Sequence, residues 1–431
     1  MDFLSLLLYL LLTITLFQVL HSLLTRTKTR LRLPPGPKSL PVVGNILKLG
    51  DKPHESLAEL AKTHGPIMSL KLGQITAVVI SSSALAKETL QKHDLAFSGK
   101  PIPNALHSTE QDKYSTIWMP VSDNWRSLRK IMNSHIFSGS RLDANQTLRQ
   151  EKVKELIAYA GKCCQDGVAV DIGSAAFTTS LNLLSNTVFS VDLASHGQES
   201  MREFRDLVTN ITMEAAKPNF SDYFPLLARL DPQGTDTTST TIEWAMTELI
   251  RNPEILKKAK AELEQTIGKG KLVQESDISR LPYLRATVKE TMRIRAPSPF
   301  VLRRVETDVE VHGYTIPKGT QVLVNAWAIG RDPSIWPNPT TFMPERFLES
   351  EIDFRSLDFE MIPFGAGRRI CPGLPLASRM VPVVLGSLIN SFDWKLEGGI
   401  APEELNMEEK LGMLLQKAQP LRAIPCNFLS P

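Results

Sequence analysis

Apolar residues run without a charge from Phe3 to Thr25, and the pattern then breaks on four basic residues, Arg26, Lys28, Arg30 and Arg32. As a helix these 23 residues would be roughly 35 Å long, enough to cross a hydrocarbon core. The basic run after them places the following chain on the cytosolic side. A cleaved signal peptide would show a positive start, a shorter apolar core and a small-x-small cleavage site, whereas this stretch opens with Asp2. The expectation is one transmembrane anchor over 3–25. Pro34-Pro35-Gly36-Pro37 admits no continuing helix and reads as a stiff break closing a basic, Pro-rich hinge over 26–37.

Past the hinge, residues 67–80 alternate like a small antiparallel sheet that turns at Gly73. Apolar spacing of the 3.6-residue kind predicts helices over 82–93, 122–136, 141–162, 173–191 and 198–216, then over 241–250, 252–266 and 280–294. Residues 300–328 read as strands with turns at His312-Gly313 and Pro317-Lys318-Gly319. A Pro-rich meander over 332–366, a helix over 373–391 and a short β region complete the chain. The expected fold is mainly α with a minor β sheet, in one body over 38–431.

Composition narrows the classes. Hydrophobic residues are 42% and charged residues 22%, which excludes a disordered chain. A net charge of +3 on 431 residues, with no nucleic-acid motif, argues against nucleic acid as a partner. The four cysteines, 163, 164, 371 and 426, are too few for a disulfide framework and lack zinc-ligand spacing. The histidines are scattered, with no paired helical spacing for a metal. Asn145, Asn210 and Asn219 open glycosylation sequons, but a cytosolic body does not meet that machinery.

Among the cysteines, Cys371 stands apart. It sits in Phe364-Gly365-Ala366-Gly367-Arg368-Arg369-Ile370-Cys371-Pro372-Gly373, after a Gly-rich turn and at the start of a helix. Gly367 and Gly373 permit tight or left-handed backbone and close approach of a flat ligand. The helix start and Arg369 supply positive potential that favours thiolate. A buried thiolate needs a positive partner, and iron is the obvious one. The rival reading is a structural cysteine in a glycine turn.

The spacing F-x-x-G-x-R-x-C-x-G resembles, at every fixed position, the haem-binding signature of the cytochrome P-450 superfamily. The resemblance implies haem b (iron protoporphyrin IX) held through Cys371 as the iron ligand, with Phe364, Gly367, Arg369 and Gly373 forming the cradle. Further motifs stand in the family's order. Glu290 and Arg293 form E-x-x-R, one helical turn apart, and Pro344-Glu345-Arg346-Phe347 is similar to the P-E-R-F whose arginine joins them. This trio implies a structural lock rather than catalysis. Trp125 and Arg129 resemble the W-x-x-x-R that faces a haem propionate, a spacing that amphipathic helices also produce by chance. Arg304 matches a further propionate arginine, with Arg303 where a proline usually precedes it. Gly234-Thr235-Asp236-Thr237-Thr238 resembles the family's oxygen-activation groove, in which Thr237 holds dioxygen and a water and Asp236 relays protons. By residue type alone, one or two of these Thr and Ser residues would be an ordinary helix N-cap.

Ile242-Glu243-Trp244-Ala245-Met246, Val324 to Asp332 and Cys371 to Ala377 are similar to plant microsomal members, and within them to the geraniol 8-hydroxylase group. The resemblance implies a monooxygenase anchored in the endoplasmic reticulum membrane. It would hydroxylate a small lipophilic metabolite, a terpenoid, with O2 and electrons from an NADPH-dependent flavoprotein reductase. By family position the pocket would be lined by 101–119, Thr235 to Ser239, Pro297 to Leu302 and Met413 to Leu415, and Arg126 and Lys130 are docking candidates for the reductase. A solvated basic face explains Arg126 and Lys130 equally well. Two rivals share the cysteine: an oxygen-independent haem–thiolate isomerase or dehydratase, and an inert truncated protein.

Two departures matter. Family members carry several helices before the groove, whereas here Asp231-Pro232-Gln233 runs straight into Gly234, and Pro232 cannot sit within a helix. The expectation is an internal deletion near 233–234, costing the first half of the distal helix and the lid above it. The second departure is Arg295-Ala296, where relatives often carry His-Pro.

Overall fold

The computed structural model describes residues 32–102, 111–197, 237–355, 358–412 and 414–426, together with Leu12, Thr13 and Leu16. The three isolated residues are helical and exposed. The rest of the expected anchor, the expected helix over 198–216, Asp236 and Met413 lie outside the described residues.

Local chemistry starts the elements. A proline at the first position opens α1 (Pro53–His64), which leads into a hairpin, β1 (Ile67–Leu72) and β2 (Ile75–Ile80), paired antiparallel about the expected turn at Gly73. The Ser82 hydroxyl accepts from the Leu85 N–H to cap α2 (Ser83–Lys87), which widens into a π-turn over Glu88–Lys92. Ser122 does the same for α3 (Asp123–Ile131), accepting from the Trp125 N–H at 3.2 Å. After α4 (Gly139–Ala144), α5 (Gln146–Asp166) and a two-residue β3 (Val170–Asp171), the Asp171 carboxylate caps α6 (Ile172–Phe189). Next among the described residues come α7 (Thr238–Arg251), α8 (Pro253–Thr266) and α9 (Pro282–Ile294). Strands β4 (Phe300–Arg304), β5 (Val309–Val311), β6 (Tyr314–Ile316) and β7 (Gln321–Asn325) precede α10 (Leu374–Ser391). Last are β8 (Asp393–Leu396), β9 (Glu409–Leu411), β10 (Leu415–Lys417) and β11 (Arg422–Cys426).

The main core forms around α7, which is buried from Ser239 to Ile250 and packed by α6, α8, α9 and α10. Threonines tolerate this burial because their hydroxyls bond back into the helix. Thr241 Oγ1 donates to the Thr237 carbonyl at 3.0 Å, and Thr247 Oγ1 to that of Glu243 at 2.7 Å. Ile242, Met246 and Leu249 share the core with Val384, Leu385 and Leu388 of α10. Each such side chain contributes on the order of 1.5–3 kcal/mol. The hydropathy and length of α10 would suit a membrane span, but here it is a core helix, buried from Met380 to Ser391.

The expected strand-rich stretch divides its pieces. β5 and β6 form their own hairpin, while β4 and β7 join the N-terminal hairpin in one sheet of order β1-β2-β7-β4, with β2 and β7 parallel. The Pro-rich break is tied down rather than free. Ser69 of β1 donates from its N–H to Pro35 O at 2.8 Å and from its hydroxyl to Pro34 O at 2.7 Å. Mainly α with minor sheets is the architecture found.

Candidate active site

The expected lock lies under the site. Glu290 and Arg293 of α9 have fully buried side chains and meet in a bidentate pair, both N–H···O distances 2.7 Å. Arg346 Nε adds a bond to Glu290 Oε1 at 3.1 Å, and the Met343 N–H a further one at 2.8 Å. Arg293 also donates to the carbonyls of Gly330 and Pro339 at 2.5 and 2.8 Å. One carboxylate therefore holds α9, the 330–343 meander and the P-E-R-F turn together.

That meander delivers the cysteine loop. Phe364 tilts against Phe354, ring centres 5.3 Å apart, and its carbonyl accepts from the Cys371 N–H at 3.0 Å, closing the loop. Gly367 has to be glycine: its φ is +70°, and a Cβ there would lie 2.2 Å from the Leu90 carbonyl oxygen. Gly373 differs from expectation. Its backbone is right-handed (φ −79°), and a Cβ there would sit 3.7 Å from Cys371 Sγ, on the thiol's own face.

Cys371 is a free, exposed cysteine, although most of its surroundings are protein. Burial raises its thiol above the ordinary range, and the N–H groups of Gly373 and Leu374 and the Arg129 guanidinium pull the other way without offsetting it. The helix start thus helps, as expected, but the nearby cation is Arg129 rather than Arg369. Arg369 instead ties the loop to the wall, donating to the carbonyls of Ser98, Ile117 and Met119 at 2.6, 3.3 and 2.7 Å. With the proton favoured on sulfur, a stable thiolate here calls for a bound metal.

Around the thiol, positive charge accumulates without direct ion pairs; Asp94 acts on Arg303 and Glu306 on Arg369 only from a distance. Arg129 donates to Ile370 O at 2.8 Å, and Arg303, only 4% exposed, to Leu302 O and Ala366 O at 2.9 and 3.1 Å. Arg129, Arg303 and Arg369 form no ion pair among the described residues. Burial lowers all three; Arg369 presses further on Arg303, and Arg129 on Arg369, both reaching about 10. Lys100, its ammonium 5.5 Å from the Trp118 ring centre, falls to about 7 through burial and then through Arg303 and Arg369. Four depressed cations beside one thiol suit a ligand that carries a metal and at least two negative groups. The two carboxylates and the iron of haem b meet that description, so the residues present fit the cofactor.

Trp125 is buried, with the Arg369 and Arg129 guanidinium groups over its ring at 5.1 and 5.6 Å, and its indole N–H donates to Thr116 O at 2.9 Å. Arg304, expected to face a propionate, turns the other way to Glu306 at 3.3 Å, with its side chain 42% exposed. The inward residue of β4 is Arg303, because alternation along the strand buries Val301 and Arg303 and not Arg304. Lys100 and Arg303 were missed by sequence reasoning; alternation says that one of the two adjacent arginines faces inward, not which. Thr237 is exposed at the N-cap of α7, so the described helix starts at the motif rather than running through it, and Asp236 lies outside the described residues.

A thiol at a helix start, two glycines at positive φ in the loop before it, and a rim of arginines without ion pairs fit a haem–thiolate protein. The sequence profile of the cytochrome P450 family matches residues 34–233 and 233–423. Geraniol 8-hydroxylases of Swertia mussotii and Catharanthus roseus are each 54% identical to the chain, over 98% and 99% of it and 99% and 100% of their own lengths. A drimenol monooxygenase of Persicaria hydropiper is 43% identical over 93% of both chains. A zebrafish cytochrome P450 solved with progesterone shares the fold, with a TM-score of 0.74 at 23% identity over 87% of this chain and 99% of that one. The chain belongs to the cytochrome P450 family: it is a P450 monooxygenase, and haem b is its cofactor.

Proposed function

We propose that this chain hydroxylates a small lipophilic terpenoid at the endoplasmic reticulum membrane, using O2 and electrons from an NADPH-dependent flavoprotein reductase. The observation that carries the reading is the Cys371 thiol beside Arg129, Arg303 and Arg369, buried or half-buried guanidinium groups that make no ion pair among the described residues. Haem b, when bound, supplies the redox chemistry that activates dioxygen. The protein's part is to hold and tune it. Cys371 would be the iron ligand, Phe364, Gly367, Arg369 and Gly373 shape its loop, Arg129, Arg303 and Lys100 would answer the propionates, and Trp125, its N–H held by Thr116 O, supports the Arg129 and Arg369 guanidinium groups with its ring. In the distal groove, Thr237 holds a water in place and Asp236 passes protons from solvent. Residues 3–25 anchor the chain, and 26–37 lead to the catalytic body over 38–431. The terpenoid class is supported by the names of relatives at 54% and 48% identity, geraniol 8-hydroxylase and geranylhydroquinone 3''-hydroxylase. A 7-ethoxycoumarin O-deethylase at 49% marks the competing possibility of an aromatic ether.

A second reading has its own support. The family profile breaks at 233, and the Swertia alignment spans 491 positions against 431 residues here, so at least 60 face no residue of this chain. An internal segment of about that length is absent next to the oxygen groove, which favours an impaired or haemless product. A carbon monoxide difference spectrum on dithionite-reduced membranes separates the two. A red-shifted thiolate-type band, lost in Cys371→Ala, supports the monooxygenase. No band from this chain beside a normal band from a full-length relative would overturn it.

A further inference from the structure

One buried histidine faces two carboxylates drawn from opposite ends of the chain. His54 is the second residue of α1, directly after Pro53, and its side chain is fully buried. Its backbone carbonyl accepts from Asn325 Nδ2 at 2.9 Å, and the Trp327 ring stands edge-on to the imidazole, ring centres 5.2 Å apart. Neither ring nitrogen has a hydrogen-bond partner. Nε2 is turned instead to Glu55 Oε1, 3.9 Å away on the same helical turn, and to Glu409 Oε2 of β9, 3.7 Å away. These gaps are too long for hydrogen bonds, yet the three ligand atoms lie within 4.8 Å of one another. A first-row divalent metal with bonds of about 2.1 Å at tetrahedral angles holds its ligand atoms about 3.4 Å apart. The gaps to His54 need only a small closure, and the partly exposed Glu55 side chain can swing to supply it.

The surroundings prepare the acids. Arg295 donates from Nε to Glu248 Oε1 of α7 at 2.8 Å and pairs through Nη1 with Glu409 Oε1, which leaves Glu409 Oε2 to His54. Burial opposes the charge on Glu409, but His54, Arg295 and Arg331 hold its carboxyl below the ordinary range, so it is an anion at neutral pH. Lys52 meets Glu55 at 3.4 Å in an exposed pair that a metal displaces at little cost. With Lys52 displaced, the carboxylates of Glu55, Glu248 and Glu409 face the guanidinium groups of Arg295 and Arg331, which is a net negative site.

We propose that His54, Glu55 and Glu409 bind a divalent cation, Zn2+, with water as the fourth ligand, and that the metal staples the start of α1 to β9. One imidazole beside two carboxylates favours Zn2+ over Mg2+ and Ca2+, which take oxygen ligands. The site shares no residue with the cysteine loop, so it stands or falls independently of the monooxygenase reading.

The test uses the full chain in lipid nanodiscs. Zn2+ affinity is measured by competition with a chelating dye in a Cys371→Ala background, which removes the competing thiol, and again with Glu55→Gln or His54→Gln added. Glu55→Gln is the cleaner variant, because that side chain is partly exposed and its neutralisation strands no buried charge. One saturable site is expected, weakened about tenfold or more by each substitution. Hydrogen exchange of the unaltered chain then reads the staple. At a free Zn2+ concentration ten times Kd, the amides of Glu55 and Ser56 and those of β9 are expected to exchange about tenfold more slowly, with no slowing in Glu55→Gln. Absence of saturable binding, or a loss smaller than tenfold in either variant, overturns the site. Tenfold losses without local slowing of exchange overturn the staple.

Discussion

Lys100 makes haem loading sensitive to pH in a calculable way. In the free protein its ammonium titrates near pH 7, against about 10.4 for an exposed lysine, because burial, Arg303 and Arg369 all disfavour the charge. An unfolded chain keeps that proton up to about pH 10.4, so this group makes the haem-free fold more stable as pH rises from 7 towards 10. Haem binding works in the opposite direction. A propionate beside Lys100 returns it to the ordinary lysine range, so binding takes up a proton and weakens as pH rises above 7. With free and bound values near 7 and 10.4, the competent fraction falls from about one half at pH 7 to about one eleventh at pH 8, a loss of about fivefold, and about fiftyfold by pH 9. Hemin titration of the apoprotein followed at the Soret band, at constant ionic strength, measures this. Lys100→Arg should flatten the profile while keeping the charge. A ratio below twofold between pH 7 and 8, or the same slope in Lys100→Arg, would refute the assignment of Lys100 to the propionates.

Glu290→Gln leaves the fully buried Arg293 guanidinium without its counterion, which should cost about 3–5 kcal/mol in urea unfolding, and an unchanged midpoint would contradict the lock. Gly367→Ala forces a Cβ to within 2.2 Å of Leu90 O at a positive φ, so haem retention on gel filtration should fall at least tenfold; wild-type retention would show that the loop yields cheaply. Reversing Arg126 and Lys130, both exposed on α3, should slow reductase-driven haem reduction severalfold and leave the dithionite-reduced carbon monoxide band intact. Equal reductase rates would return those charges to an ordinary solvated face.

The parts of the site visible in the sequence are those whose partners are local. The cysteine loop is ten consecutive residues, and Glu290 and Arg293 are one turn apart. What escaped depends on distance or on facing. Arg303 and Arg304 are adjacent and chemically identical, and β4 is half apolar on both faces, so only the folded strand separates the inward arginine from the outward one. Lys100 is informative only once Arg303 and Arg369 are brought beside it. The partners of Arg295 lie 47 and 114 positions away, beyond any helical or strand period. The Thr-rich stretch was legible as a motif but not as a location, since the described helix begins within it.

The parallel pairing of β2 with β7 has a consequence during synthesis. Ala77 pairs with Gln321, so the centre of the sheet waits for 244 further residues to be made. At about 5–20 residues per second that is roughly 12–50 s on the ribosome. Throughout that interval Ile75-Thr76-Ala77-Val78-Val79-Ile80, an uncharged and β-branched strand that ends with Val78, Val79 and Ile80 fully buried, offers one open edge to any neighbour. A nascent chain of this protein should therefore depend on a chaperone or on the membrane surface to shield that edge, and polysome crowding should lower its yield more than that of a protein whose sheets close locally.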